Sequence, residues 1–404
     1  MSEESQEKRV TQEDRAVTRF REYLRIKTVH PNPDYDSAMA FLKKIAEELD
    51  LPYKILAMVP NKDIFILTLE GEDPSLPSLL LNSHTDVVPV FPEEWKVDPF
   101  SAEKLDNGDI YARGSQDMKC VGIQYIEAIR KLKLQGRKFK RTIHLTFMPD
   151  EEVGTDGMPL FVKDESFKNL NVGFALDEGL ANPTNAFTVF YGERVPWWVR
   201  VKCHGNPGHG SRFIENTAAE KLRRIINSFL DYRGMEEKKL KSSGCLKLGD
   251  VTTVNMTMLD GGIQFNVVPN EMSVGFDIRI APTEDLVEFE EKIKTWCTEA
   301  GEGVTYEFVH KNTDKTLTST DKSDPWWNAF STACESMGMV LETEIFPAST
   351  DGRYLREQGY PAIGFSPMNN TPILLHDHNE FLNEEVFLKG IDIYCKIIPA
   401  LADV

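Results

Sequence analysis

The chain predicts an α/β fold in which a mostly parallel sheet, flanked by helices, is interrupted by an inserted α+β sandwich. Three features of its 404 residues carry that expectation. In the first half, continuous apolar runs alternate with helical stripes, the pattern of a parallel sheet covered on both faces. From about Val195 the order becomes strand, helix, strand, strand, helix, strand. After the polar stretch KNTDKTLTSTDKSD, helices and short strands resume.

Taken in order, Thr11 with Asp14 resembles a capping box, and Val17, Phe20 and Leu24 then share one helical stripe. Met39, Leu42, Ile45 and Leu49 mark a second helix. The runs DIFILTLEG, SLLLNSH, TIHLTFMP and VGFALDEG read as strands, with a helix from about Cys120 to Leu134 closed by Gly136. The later segment reads WWVRVKCH (strand), Thr217 to Leu230 (helix), VTTVNMTML and EMSVGFDIRI (strands), Leu286 to Trp296 (helix) and VTYEFVH (strand). Its helices carry the stripes Leu222, Ile225, Ile226, Phe229 and Leu286, Phe289, Ile293, Trp296, and Thr217 with Glu220 forms a capping box. That βαββαβ order is the split, ferredoxin-like sandwich. It divides the chain into a discontinuous domain, 1–194 with 313–404, and an inserted domain, 195–312, with hinges near Arg194 and Thr313.

Composition narrows the function. At roughly 150 residues per domain the length allows two to three domains. Lys and Arg number 46 against 64 Asp and Glu, a net charge of −18 that speaks against nucleic acid and anionic membranes as partners. No apolar run approaches the roughly 18 residues needed to cross a bilayer. The charged stretch MSEESQEKRVTQEDR has neither the apolar core of a secretion signal nor the pattern of a transit peptide, so a soluble, cytoplasmic protein is expected. Six scattered cysteines, the nearest two 37 positions apart at Cys297 and Cys334, form no C-x-x-C knuckle and read as reduced thiols.

Acidic and imidazole side chains gather at the carboxyl ends of the predicted strands, the edge where open α/β sheets bind ligands. They are His84 and Asp86, Asp117 in YARGSQDMK, then Asp150, Glu151 and Glu152, then Asp177 and Glu178. A single acidic loop is usually a solvated surface. So many carboxylates together repel one another strongly unless a divalent cation, or two, neutralises them. In His84-Thr85-Asp86, side chains two apart face the same way, the geometry in which a carboxylate orients a metal-bound imidazole through its other ring nitrogen. His376 and His378 lie together in LLHDHNE, and spacing does not choose between them. Mixed His and carboxylate donors favour zinc, with cobalt or manganese able to substitute.

The motifs NSHTDVVP, YARGSQDMK, PDEEVG, FALDEG, GHGSRF and LLHDHNE resemble those of the dinuclear zinc exopeptidase and amidohydrolase family, which includes aminoacylases, carnosinase, desuccinylases and glutamate-releasing carboxypeptidases. The resemblance spans nearly the whole chain, and FTVFYGER, PWWVRV, SPMN and DPWW are similar to its aminoacylase members. It implies a zinc-exopeptidase-like catalytic domain and an inserted lid that serves for dimerisation. It also implies two zinc ions per subunit, one held by His84 and Glu178, the other by Glu152 and His376, with Asp117 as the bridge. Such paired ions, about 3.5–4 Å apart, hold a water and lower its pKa. Glu151 would be the general base, Asp86 a catalytic carboxylate, and His209 the oxyanion donor to the neighbouring subunit of a homodimer. Asn266, Arg279 and Arg353 would recognise the substrate carboxylate, a guanidinium gripping it through two hydrogen bonds. The family also often has a cis peptide after the bridging aspartate, here Asp117-Met118.

The resemblance thus implies zinc-dependent hydrolysis of N-acyl-L-amino acids, chiefly N-acetyl ones, to an amino acid and a carboxylate. A metallo-dipeptidase or carboxypeptidase of the same family is the near alternative, but no residue for binding a substrate's free amine is identifiable. A non-catalytic scaffold would show a broken ligand set, whereas all five metal positions and the base are present.

Overall fold

The computed structural model describes residues 13–154 and 156–404. Two compact units emerge. The first takes the described residues up to Val189 together with Ser319–Thr343 and Thr350–Val404; the second takes Phe190–Thr318 and Glu344–Ser349.

An eight-stranded sheet, six of whose strands lie wholly in the first unit, has the order Tyr53–Val59, Lys62–Leu69, Ile143–Met148, Ser78–His84, Val172–Asp177, Ala362–Phe365, Phe187–Glu193, Leu341–Phe346. Its centre is parallel: Ser78–His84 pairs in that sense with both Ile143–Met148 and Val172–Asp177, and Ala362–Phe365 with Val172–Asp177. At the outer edge Tyr53–Val59 and Lys62–Leu69 form an antiparallel hairpin, and the second of these also pairs antiparallel with Ile143–Met148. Every residue of Ser78–His84 and of Ile143–Met148 is buried, because helices cover both faces.

On one face the helix Lys119–Leu134 comes so close that a Cβ at Gly122 would sit 3.0 Å from the Ser83 hydroxyl and the Phe147 ring. The helix Glu384–Ala402 packs beside it, with Tyr125 and Tyr394 rings 4.6 Å apart, and the helix Arg15–Leu24 joins them by stacking Phe20 on Phe387 at 4.4 Å. The opposite face buries Ile64, Ile66, Leu80 and Ala175 against Met158, Phe161, Phe167 and Leu355. Each such large aliphatic or aromatic side chain contributes about 1.5–3 kcal/mol on leaving water. In the opening helix Asp14 is itself the N-cap, accepting from the Ala16 N–H, while Thr11 lies outside the described residues.

The second unit is a four-stranded antiparallel sheet in the order Thr253–Gly261, Glu271–Ile280, Val195–His204, Val304–Lys311, the βαββαβ connectivity of a ferredoxin-like sandwich. Its helices, Ala218–Ser242 and Leu286–Ala300, bury Leu222, Ile225, Phe229, Phe289 and Ile293 against the strands. The Thr217 and Glu220 capping box is present. The first helix runs twelve residues past Leu230, where the apolar stripe fades. Its last turns are held by Tyr232, which is buried, by Glu236, which accepts from the Thr252 N–H at 2.9 Å, and by ion pairs of Glu237 with Arg233 and Lys241.

Candidate metal centre and active site

The parallel strands end in register, with His84 opposite Met148, so the loops that follow them open on one edge. There the first unit brings His84, Asp117, Glu151, Glu152, Glu178 and His376 together. One group, His84, Asp117 and Glu178, and a second, Asp117, Glu152 and His376, each present three donor atoms within 4.8 Å of one another, and Asp117 belongs to both. His84 Nε2 lies 3.0 Å from one Asp117 oxygen and 3.5 Å from Glu178, and His376 Nε2 lies 3.3 Å from the other Asp117 oxygen and 2.9 Å from Glu152. His378 is elsewhere, edge-on to Phe91 at 6.1 Å. The peptide bond Asp117-Met118 is cis.

His84 Nδ1 lies 2.9 Å from the Asp86 main-chain oxygen. A carbonyl only accepts, so Nδ1 carries a proton, and Nε2 is the nitrogen turned to the cluster. The Asp86 carboxylate faces the same nitrogen, as the sequence suggests, but from farther off, at 3.6 Å, behind its own main-chain oxygen. The Asp86 oxygens also accept from the Glu151 and Glu152 N–H groups, at 3.2 and 3.1 Å, and meet His30 Nε2 at 2.8 Å.

The electrostatics follow from crowding. Burial and then the Glu178 charge push the Glu151 carboxyl well above the usual range, and burial and then Asp117 do the same to Glu178. Glu152 rises to about 7 through burial and Asp117. Burial opposes ionisation of Asp117 as well, but hydrogen bonds from His376 and His84 outweigh it and hold that carboxyl far below its ordinary value. Those same contacts with Asp117 and Glu152 raise His376 to about 10. Such a set of buried acids with two imidazoles is electrostatically suited to cations. Glu152 Oε1 is buried without a hydrogen-bond partner, an acceptor left open to a cation. The donors are the nitrogen and carboxylate types that zinc takes.

Arg353, in the short helix Gly352–Glu357, pairs with the Tyr354 hydroxyl, and its guanidinium lies 3.9 Å from where a Cβ on Gly154 would stand. The remaining sequence candidates belong to the second unit. His209 is exposed on a two-residue strand paired with Val267–Val268, and Gly210 donates to the Asn266 main chain at 2.8 Å, so His209 and Asn266 lie on adjacent loops. The Ser211 N–H points at His209 Nδ1, 3.3 Å away; an amide only donates, so the neutral ring holds its proton on Nε2. The Asn266 side chain accepts from Gln264 at 2.7 Å. Arg279 is gripped at both ends by Asp277 of its own strand, at 2.7 and 3.1 Å.

A match to Peptidase family M20/M25/M40 runs over residues 80–400, a span that contains every residue of the cluster. The chain belongs to Peptidase family M20/M25/M40. Its near relatives there are aminoacylase-1 proteins. That of Mus musculus is 60% identical over 390 residues, covering 96% of each chain, and that of Homo sapiens is 57% identical over 394 residues, 97% of each. Among solved structures, an M20 family metallo-carboxypeptidase from Sulfolobus solfataricus has a TM-score of 0.73 at 18% identity, over 96% of this chain and 100% of that one, a likeness of fold.

Within this M20 site several supporting residues escape a reading by motif. Glu380, wholly buried, accepts from Arg113 at 2.8 Å and from the N–H groups of Gly114, Gln116 and Asp117, and so shapes the loop that carries Asp117. A small sheet joins Phe381–Asn383 to Asp109–Tyr111 and brings that loop beside His376. Asn82 bridges Asp177 and Asp351 at 3.0 and 3.3 Å, and burial with the Asp177 charge raises Asp351 to about 8. Asn82, Arg113, Asp177 and Glu380 lie within the quoted motifs, but nothing in those motifs tells what they hold.

Proposed function

We propose that the chain hydrolyses N-acyl-L-amino acids, above all N-acetylated ones, with two zinc ions per subunit: His84 and Glu178 on one, Glu152 and His376 on the other, Asp117 across both. The shared carboxylate between two donor groups is the observation that carries this reading. When bound, the ions polarise the amide carbonyl and acidify a water held beside it. Glu151 belongs to neither donor group, and its raised pKa suits a base that takes a proton from that water and later gives it to the leaving nitrogen. Asp86 sets the two adjacent glutamates by their backbone. Asn266, Arg279 and Arg353 would select a substrate with a free α-carboxylate.

The same reading makes the chain a homodimer in which residues 195–312 form the lid and dimerisation domain and His209 completes the neighbour's site. It is supported by a proton on His209 Nε2, where an oxyanion needs a donor, and by Phe213, Ile263 and Phe265, which stand almost fully exposed on the loops around it. Six free cysteines agree with a cytoplasmic setting, and among the described residues no helix is long and apolar enough to cross a membrane.

Turnover of N-acetyl-methionine against that of an unblocked dipeptide, with and without chelator, tests the substrate class. Faster cleavage of the blocked amino acid, abolished by chelator and restored by zinc, is expected. Faster cleavage of the dipeptide would assign the site to a peptidase instead.

A further inference from the structure

The segment 28–30 is zipped along 85–87. Val29 and Val87 form a parallel bridge, the Val87 N–H donates to the Thr28 oxygen at 2.9 Å, the His30 N–H to the Val87 oxygen at 3.2 Å, and the Thr28 hydroxyl to the Thr85 oxygen at 2.5 Å. This seat puts His30 Nε2 2.8 Å from Asp86 Oδ2, the oxygen that also receives the Glu152 N–H, while Oδ1 receives the Glu151 N–H. One residue earlier, Asp150 sits at φ 60°, a left-handed conformation that costs a non-glycine residue energy and needs outside support. Tyr35 supplies it, donating to the Asp150 carboxylate at 2.7 Å and accepting its N–H at 3.0 Å.

His30, Asp86 and Asp150 have the spacing of a third metal group. Lys62 decides against that use: its ammonium is ion-paired with Asp150 and lies 2.6 Å from Asp156, so the place of a cation is already taken. What remains for His30 is orientation. The Asp86 carboxylate has a second attraction, the His84 ring nitrogen 3.6 Å from Oδ1, toward which it can turn once His30 is gone.

We propose that His30 is a positioning residue of the hydrolytic site, holding the Asp86 carboxylate in the one orientation that receives the Glu151 and Glu152 N–H groups and so aims base and metal ligand together. The inference rests on the function proposed above. It is tested by comparing the zinc-loaded wild type with His30→Ala and His30→Gln, since a glutamine amide can replace the Nε2 donor. Loss of such an outer partner typically costs 10–100-fold in activity or metal affinity. His30→Ala is expected to lower kcat by that factor with KM within about twofold, to lose zinc faster to a competing chelator, and to leave the thermal unfolding of the metal-free chain in place. His30→Gln is expected to regain most of kcat and zinc retention. Unchanged kcat and zinc retention in His30→Ala, or no recovery in a folded His30→Gln, overturns the proposal. Should His30→Ala fail to fold, His30→Gln against His30→Leu gives the same contrast. If the wild type cleaves no N-acyl amino acid, the functional reading fails by itself, and chelator competition, which needs no substrate, still decides the role of His30.

Discussion

The two units treat their chemistry-bearing residues in opposite ways. In the first, His84, Asp117 and Glu178 are buried, Glu152 is half-buried and His376 is exposed, and the loops around them are tied by further side chains, Glu380 for Asp117 and Asp86 for the glutamates. In the second, His209 and Asn266 are exposed, and Arg279 is engaged by Asp277. Folding of the first unit alone therefore gathers the candidate donors, whereas His209, Asn266 and Arg279 of the second are engaged by residues two positions away.

Substitutions can break or sharpen this contrast. The largest effect belongs to Glu151→Gln, expected to lower kcat by about 10⁴-fold while retaining zinc, because the base is lost and no ligand is. Loss of zinc on that change would make Glu151 a ligand. Glu380→Ala strands the buried Arg113 guanidinium and is expected to cost about 3–5 kcal/mol in denaturant unfolding, a price typical of breaking one side of a buried pair. A surface-like cost below about 1 kcal/mol would mean the Asp117 loop stands without it. His209→Ala is expected to lose about 10²–10³ in kcat with the first unit's zinc untouched. Mixing it with Glu151→Gln chains should restore one working site per heterodimer, and no recovery after proven subunit exchange would place His209 in its own chain's site or in none.

His144 lies within the sheet away from the metal cluster. Burial lowers its pKa to about 4. Above about 6.5 it is neutral in both states; as pH falls toward 4 only the unfolded chain gains the proton, so native stability drops by at most about 3 kcal/mol across that window. His144→Gln should flatten this slope relative to wild type in unfolding curves taken between those values. The smallest effect is expected on the exposed side: Asp277→Asn should shift stability by less than about 1 kcal/mol.

Much of the fold, and the gathering of acids at one sheet edge, was legible because short-range rules govern both, whereas the sharing of donors between two ions came from the family resemblance. Continuous apolar strands imply a covered parallel sheet, and acids at their carboxyl ends imply a site there. His376 could not be told from His378 by spacing, since the choice depends on a backbone at φ 62° that turns the first inward. Glu380 and His30 were missed for a different reason. Their partners lie 267 and 56 positions away, and most of what they organise is main chain, which carries no signature in side-chain pattern. The Asp86 carboxylate does face the His84 ring, but at 3.6 Å it stands behind a backbone oxygen at 2.9 Å, and its contacts with the Glu151 and Glu152 N–H groups were not legible in side-chain pattern. The helix ending at Ser242 outran its stripe because Glu236 binds a backbone N–H instead of packing apolar surface.

The sharing of Asp117 between two cations is most directly tested by anomalous diffraction from zinc-loaded crystals. Two peaks about 3.5–4 Å apart, one on each side of the Asp117 carboxylate with Glu151 outside both, are expected. A single peak, or a pair that Asp117 does not join, would contradict the dinuclear site.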